Sequence, residues 1–235
     1  GIEDVAYIGM FGNDGKAEHL KWALTQENVH FERSRTMYAP SGSPGVRLID
    51  GDRKFVGGPR NTAQHLARIR LTPEDLDYIE QYGLCHTSCF SSIEYELPEM
   101  AKRCQVSFDF SERTDPDYLA RVCPYVTYAF FSGSHMTQEE IEALMDRCHA
   151  LGTKVVGVTL GSRGSIFSEE GKRYHQGIVP VEAIDTMGAG DSFIAGFLTR
   201  RILGDGMEDA LRFAATAAAN TCKFHGGFGY PHPLD

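Results

Sequence analysis

Short apolar runs alternate with longer amphipathic stretches along most of the chain. Val5-Ala6-Tyr7-Ile8-Gly9 is one such run and predicts a strand, and Gly15 to Gln26, with Leu20 and Leu24 at helical spacing, predicts the helix after it. Residues 29–58 break the rhythm. They are rich in Gly and Pro, and the short segments Gly45–Ile49 and Lys54–Val56 flank Asp50-Gly51-Asp52, the composition of a hairpin turn. From Thr72 the alternation resumes. It predicts helices over Pro73–Gln81, Ile93–Arg103, Pro116–Val122 and Thr137–Leu151, with strands or apolar segments over Leu84–Ser88, Gln105–Phe110, Tyr125–Phe131, Lys154–Thr159 and Gly164–Phe167. Thr137 followed by Glu140 reads as a capping box, and Ala150-Leu151-Gly152 as a helix stop. A strand around Ile178–Val181 and helices over Ser192–Leu203 and Met207–Phe224 complete the pattern.

Repeated strand, helix, strand order implies an α/β fold, a mostly parallel sheet with helices on both faces. The economical organisation is a single domain over residues 1–235, with residues 34–60 as an inserted β lid. Trp22 and the Phe and Tyr residues are expected in the core. With 42% hydrophobic and 23% charged residues, nothing in the composition argues for disorder. The formal charge of -9, with no Lys/Arg-rich stretch, speaks against nucleic acid or an anionic membrane as partner and for a small molecule. No apolar run approaches bilayer length and the first residues are acidic, so a cytoplasmic protein is expected. The six cysteines are scattered, as suits reduced thiols, and the nine histidines show no metal-binding spacing.

The segment that carries chemistry is Ile184-Asp185-Thr186-Met187-Gly188-Ala189-Gly190-Asp191-Ser192-Phe193, which opens an apolar helix. Small residues at 188–190 let a ligand approach the backbone. Their N–H groups fall in a helix's first turn, where they lack intrahelical partners and the dipole favours negative charge, so the turn suits a phosphate. Asp191 then stands beside that anion, where accepting a proton from an attacking hydroxyl gives the carboxylate a purpose. The bland alternative is that Asp191 caps the helix and the glycines make a tight turn.

The string D-T-x-G-A-G-D-S-F resembles the signature of the phosphofructokinase-B (pfkB, ribokinase-like) carbohydrate kinases. That resemblance implies a three-layer α/β/α fold, ATP-dependent phosphorylation of a sugar, Asp191 as general base and the Gly188, Ala189 and Gly190 backbone as anion hole. Thr159-Leu160-Gly161-Ser162-Arg163-Gly164 resembles the family's T-x-G-x-x-G nucleotide turn, implying ATP contacts at Thr159, Gly161 and Gly164. The helix with Asn220 and the glycine turn at Gly226 resemble its adenine side. Asp109 and Arg113 resemble a D-x-N-x-R strand end with Ser111 replacing Asn, and imply substrate contacts; Arg47 on the hairpin is a further substrate candidate, against a solvated strand face. Asp185 and the Met187 backbone fall where members hold a monovalent cation such as K⁺. The FDFS, TLG-x-x-GSI and IDTMGAGDSFIAGFL strings resemble the branch that phosphorylates Amadori compounds, which implies transfer to the 6-hydroxyl of a fructosamine such as fructoselysine. Relatives also imply a homodimer through the lid.

Two departures stand out. The family's N-x-x-E motif is replaced by Ser132-Gly133-Ser134-His135, which leaves Mg²⁺ to be held chiefly by ATP. The resemblance also implies that a strand with a sugar-binding Asp and a G-G-x-x-x-N-x-A segment precede residue 1. Alternatives are a fructokinase, ribokinase or nucleoside kinase of the same family, or a non-catalytic nucleotide or sugar sensor.

Overall fold

The computed structural model describes residues 2–49, 52–227 and 229–231, and the chain groups into two compact units. The smaller comprises residues 1–69, 184–187 and 224–235; the larger comprises Arg70–Ala183 and Gly188–Lys223.

In the smaller unit, β1 (Val5–Ala6), β2 (Met10–Phe11), α1 (Gly15–Gln26), β3 (Val29–His30), β4 (Arg35–Thr36), β5 (Gly45–Ile49), β6 (Asp52–Gly57) and α2 (Ala63–Leu66) follow in order. β1 pairs with β3 and β2 with β4, both in parallel. Of the strand expected at residues 5–9 only Val5–Ala6 forms, and a second short strand follows at Met10–Phe11. Tyr7 folds over Gly9 so closely that a Cβ there would lie 2.1 Å from the phenol oxygen, and the Gly9 N–H leaves the ladder for the Ser34 hydroxyl at 3.0 Å. Helix α1 starts where Asp14 accepts the Ala17 N–H at 3.1 Å, and the same carboxylate accepts the Ser41 N–H at 2.8 Å. Trp22, expected in the core, is 49% exposed and meets Tyr230 edge-on. Strands β5 and β6 form the antiparallel hairpin, with its Asp50-Gly51 turn outside the described residues.

The larger unit runs α3 (Pro73–Ile79), β7 (Leu84–Ser88), α4 (Leu97–Met100), β8 (Gln105–Asp109), α5 (Pro116–Val122), β9 (Tyr128–Ser132), α6 (Gln138–Ala150), β10 (Val155–Thr159), β11 (Ser165–Glu169), β12 (Lys172–Gln176), α7 (Ala189–Ile202) and α8 (Met207–Thr221). They build a six-stranded sheet in the order β12-β11-β10-β9-β8-β7. Strands β7 to β10 are parallel, and β11 and β12 are added antiparallel. The predicted capping box at Thr137 and Glu140 is present, and a second one at Thr72 and Asp75 starts α3.

Three expectations are corrected. Helix Ile93–Arg103 shrinks to α4, because Pro98 has no N–H to donate within a longer helix and instead sits in the first turn of a short one. The start of the segment Tyr125–Phe131 is a 3₁₀ turn, Cys123–Tyr125, before β9 begins. No strand forms at Ile178–Val181; the chain turns earlier, through Glu170 (φ 49°) and Gly171 (φ 77°), and β12 returns along β11.

Alternation along the strands sorts the core onto two faces. Tyr128, Phe130, Val155 and Phe167 point to one face and are covered by Phe193, Ile194, Phe197 and Leu198 of α7 with Met207, Leu211 and Ala214 of α8. Phe131 points to the other, stacked on Phe110 at 4.6 Å, with Tyr118 of α5 edge-on to Phe110 at 6.0 Å. Gly157 lies opposite Phe167 in the β10–β11 register, and a Cβ on it would stand 2.3 Å from that ring. Gly196 does the same between helices, its missing Cβ leaving room for Ala214 and Ala217 of α8.

Because Phe167 is fully buried, its ring has nowhere to retreat. Gly157→Ala is therefore expected to destabilise the fold by about 1–3 kcal/mol, the usual range for overpacking a core. Urea denaturation measures this; an unchanged midpoint would show that the ring adapts.

Candidate active site

The parallel strands end together, and their ends are stitched by the backbone. The Cys89 N–H donates to the Asp109 carbonyl at 2.9 Å, the Ser132 N–H to the Ser111 carbonyl at 2.7 Å and the Gly133 N–H to the Thr159 carbonyl at 2.8 Å. In open parallel sheets this carboxyl end is where ligands bind. Asp109, the last residue of β8, is paired in register with Phe130 and so points to the face covered by α7. Its Oδ1 accepts the Ser111 N–H at 2.8 Å, a contact made possible by the left-handed φ of 54° at Ser111.

Helix α7 begins at this edge of the sheet. Gly188 caps it in the left-handed conformation, φ 73° and ψ 0°, which glycine adopts without cost. The helix ladder opens with the Ser192 N–H donating to the Gly188 carbonyl at 2.9 Å, so the N–H groups of Ala189, Gly190 and Asp191 precede it. Nothing lies within 4 Å of where a Gly190 Cβ would be, so that backbone faces open space. Ser192 accepts the Thr221 hydroxyl at 2.6 Å, pinning the first turn of α7 to the end of α8.

Asp109, Ser132, Thr159, Gly190 and Asp191 line a cavity of about 130 Å³, with Phe130, Phe131 and Ile194 as its apolar walls. Two carboxylates therefore share one small space. Burial lifts the Asp109 carboxyl above the ordinary carboxylate range, the Ser111 N–H pulls it back, and the negative charge of Asp191 lifts it further; the net direction is up. The arrangement offers N–H groups for an anion, a carboxylate for a proton and walls that exclude water.

The other candidates stand as follows. Gly161 (φ 60°) and Gly164 (φ 89°) shape a turn closed by the Leu160 N–H donating to the Gly164 carbonyl at 2.8 Å. A side chain at Gly164 would strike the Gln176 carbonyl, 2.1 Å away, so that glycine also serves the β11–β12 pairing. Asn220, on α8, accepts the Lys223 ammonium at 2.9 Å. Arg113 is not a wall of the cavity; its guanidinium lies over the Tyr118 ring, 5.2 Å from the centroid. In the smaller unit, Arg47 is exposed on β5 opposite Lys54. Asp185, only 5% exposed, accepts the Met187 N–H at 2.7 Å and the Gly226 N–H at 3.0 Å, with His225 at 4.0 Å. Among the described residues no three His, Cys, Asp or Glu side chains gather as a metal site. A divalent ion would thus find two carboxylates, Asp109 and Asp191, and would take its remaining oxygens from phosphate and water, which suits Mg²⁺.

Sequence reasoning missed Phe130, Phe131, Ser132 and Ile194. The polar residue ending the apolar run of β9 was the available signal, because a parallel strand's last residue faces the ligand edge.

Comparison with known proteins now bears on this geometry. The family described as pfkB family carbohydrate kinase matches residues 1–231. The chain is 44% identical to the fructosamine kinase FrlD of Bacillus subtilis (strain 168), over 97% of this chain and 81% of that protein. It is 32% identical to fructoselysine 6-kinase of Escherichia coli (strain K12), over 94% of this chain and 84% of that protein. Among solved structures, Arabidopsis thaliana ribokinase complexed with ribose and ATP superposes with a TM-score of 0.83 at 25% identity, covering 96% of this chain and 78% of that one.

The shared cavity has a measurable cost. A carboxyl whose folded pKa is raised stabilises the fold fully only below its unfolded value, about 3.9, and loses that contribution as pH rises through the higher folded value. Asp109→Asn keeps the acceptor for Ser111 and removes the charge, so it is expected to raise the melting temperature at pH 7, with the gain shrinking as pH falls through the raised folded value and gone below about 4. A lower melting temperature at pH 7 would mean that the charge is compensated in the folded state.

Proposed function

The chain belongs to the pfkB family of carbohydrate kinases, and from that membership we propose that it transfers the γ-phosphate of ATP to the 6-hydroxyl of a fructosamine such as fructoselysine. The observation that carries the mechanism is the position of Asp191, which lines the cavity at the strand ends from within the first turn of α7.

The chemistry follows from the placement. The sugar oxygen attacks the γ-phosphorus, its bond to the oxygen bridging to the β-phosphate breaks, and the hydroxyl proton passes to an Asp191 carboxylate oxygen. Phosphoryl transfer has a loose transition state, so the base acts late and positioning counts for more than basicity. The N–H groups of Ala189 and Gly190, with the backbone at Gly188, receive charge that accumulates on the transferring group. Thr159, Gly161 and Gly164 bind the nucleotide phosphates, and Asn220 and Gly226 its adenine side. Asp109 and Arg113 contact the substrate, and Arg47 on the hairpin is a further substrate candidate. Mg²⁺ neutralises phosphate charge when bound, with Asp109 and Asp191 as the protein oxygens nearest to hand.

The finer parts of the proposal rest on narrower support. The fructosamine substrate is supported by the 44% identity to a fructosamine kinase. K⁺ beside Asp185 and the Met187 backbone is supported by a buried carboxylate held by two N–H donors. Strands β5 and β6 pair with no further strand among the described residues, which supports their use as a lid and as a surface for a second copy. No helix among the described residues is long and apolar enough to cross a membrane, and the need for ATP favours the cytoplasm.

Coupled ADP release with ATP and Mg²⁺ tests the reading. Turnover is expected with fructoselysine and other fructosamines well above fructose, ribose or nucleosides; preference for another sugar would discard the substrate and keep the mechanism. Asp191→Asn is expected to lower kcat by about 10²- to 10⁴-fold, the span of general-base contributions, with ATP affinity little changed. Retained turnover would remove Asp191 from the role of base.

A further inference from the structure

The loop between β7 and α4 carries charges that phosphoryl transfer does not use. Glu94 is half-buried there, and its Oε1 accepts the Tyr118 hydroxyl at 2.8 Å. Tyr118 is buried, and its hydroxyl is held in the protonated form first by burial and then by this hydrogen bond, so it stays a donor and fixes the carboxylate in place. No ion pair joins Glu94 to a Lys or Arg among the described residues. Arg113 is likewise without a carboxylate partner among them; it lies over the Tyr118 ring at 5.2 Å, and Arg121 lies at 5.6 Å from the same ring.

These groups adjoin the cavity. Cys89, whose N–H bonds the Asp109 carbonyl, has its thiol raised by burial and then shifted by the charges of Arg113, Asp109 and Glu94. Phe90 and Tyr95, 74% and 70% exposed, project from the same loop. A carboxylate and a guanidinium without ion-pair partners among the described residues, with two exposed rings on the same loop as the carboxylate, are the groups that a zwitterionic ligand would use.

We propose that Glu94, oriented by Tyr118, receives the secondary ammonium of a fructosamine and that Arg113 receives the carboxylate of its amino-acid part. The loop then selects the amino-acid half of the substrate while Asp191 acts on the 6-hydroxyl at the sugar's other end. This inference rests on the fructosamine reading given above.

The test compares a fructosyl amino acid, its N-acetyl analogue, which lacks the ammonium, and fructose, using coupled ADP release with wild type, Glu94→Gln and Tyr118→Phe. For Glu94→Gln the ratio of kcat/KM for the fructosyl amino acid to that for fructose is expected to fall about 10- to 100-fold through KM, the range for a lost charged hydrogen bond. Discrimination against the N-acetyl analogue is expected to fall with it. Tyr118→Phe, which frees the carboxylate but keeps the ring, is expected to lower the ratio by less. An unchanged ratio in both variants overturns this inference alone. A wild type that phosphorylates fructose but not the fructosyl amino acid overturns both it and the fructosamine reading.

Discussion

The ring of Phe167 fills the space where a side chain at residue 157 would stand, and from there it packs on Phe197 of α7 at 4.9 Å. Phe130 of β9 meets both rings edge-on, at 6.0 and 5.8 Å. This aromatic slab fixes the height and direction of α7 on the sheet. Helix α8 then locks it sideways, because Gly196 lets the helices approach and Thr221 bonds Ser192 in the first turn of α7. A helix that could slide on the sheet would carry its first turn away from the strand ends. The core thus sets where Asp191 and the N–H groups beside it stand relative to Asp109, and interiors packed at crystal density transmit such constraints with little give.

The site itself works against stability. Two carboxylates share about 130 Å³, and the folded state bears their repulsion and the loss of hydration. What offsets this is the positive end of α7, whose N–H groups at 189–191 precede the helix ladder. In the proposed reaction a substrate phosphate would compete for the same N–H groups and bring more negative charge, which a divalent ion would offset. The arrangement is poor as a resting structure and suited to a moment when charge moves from a hydroxyl to a phosphoryl group.

Much of this was legible in the sequence. Helices α1 and α5 begin where Asp14 and Asp115 cap them, and the Gly-Ala-Gly-Asp run announces an anion site through backbone properties alone. What failed was pattern where tertiary pairing decides. Strand β12, Lys172–Gln176, is a polar edge strand without an apolar run, so the apolar segment at 178–181 drew the assignment instead. Trp22 is apolar and yet half-exposed, because its ring packs against Tyr230, more than two hundred residues away in the chain. The cavity walls Phe130, Phe131 and Ile194 read as ordinary core, and only the strand register shows which faces they take.

Glu94 was illegible for a different reason. An isolated acid in a loop is the commonest of surface residues, and what distinguishes this one is its bond from the hydroxyl of a buried Tyr118, with no ion pair to a Lys or Arg among the described residues. A half-buried carboxylate that accepts one hydroxyl and has no ion pair among the described residues is one that a cationic ligand would complement. The same holds, with opposite sign, for Arg113 over the Tyr118 ring. Selection and catalysis then draw on separate charge imbalances. On the proposed roles, the one at Asp191 would be relieved by a proton released in the reaction and the one at Glu94 and Arg113 on binding, so a substrate lacking the amino-acid half would leave the second in place while still meeting the first.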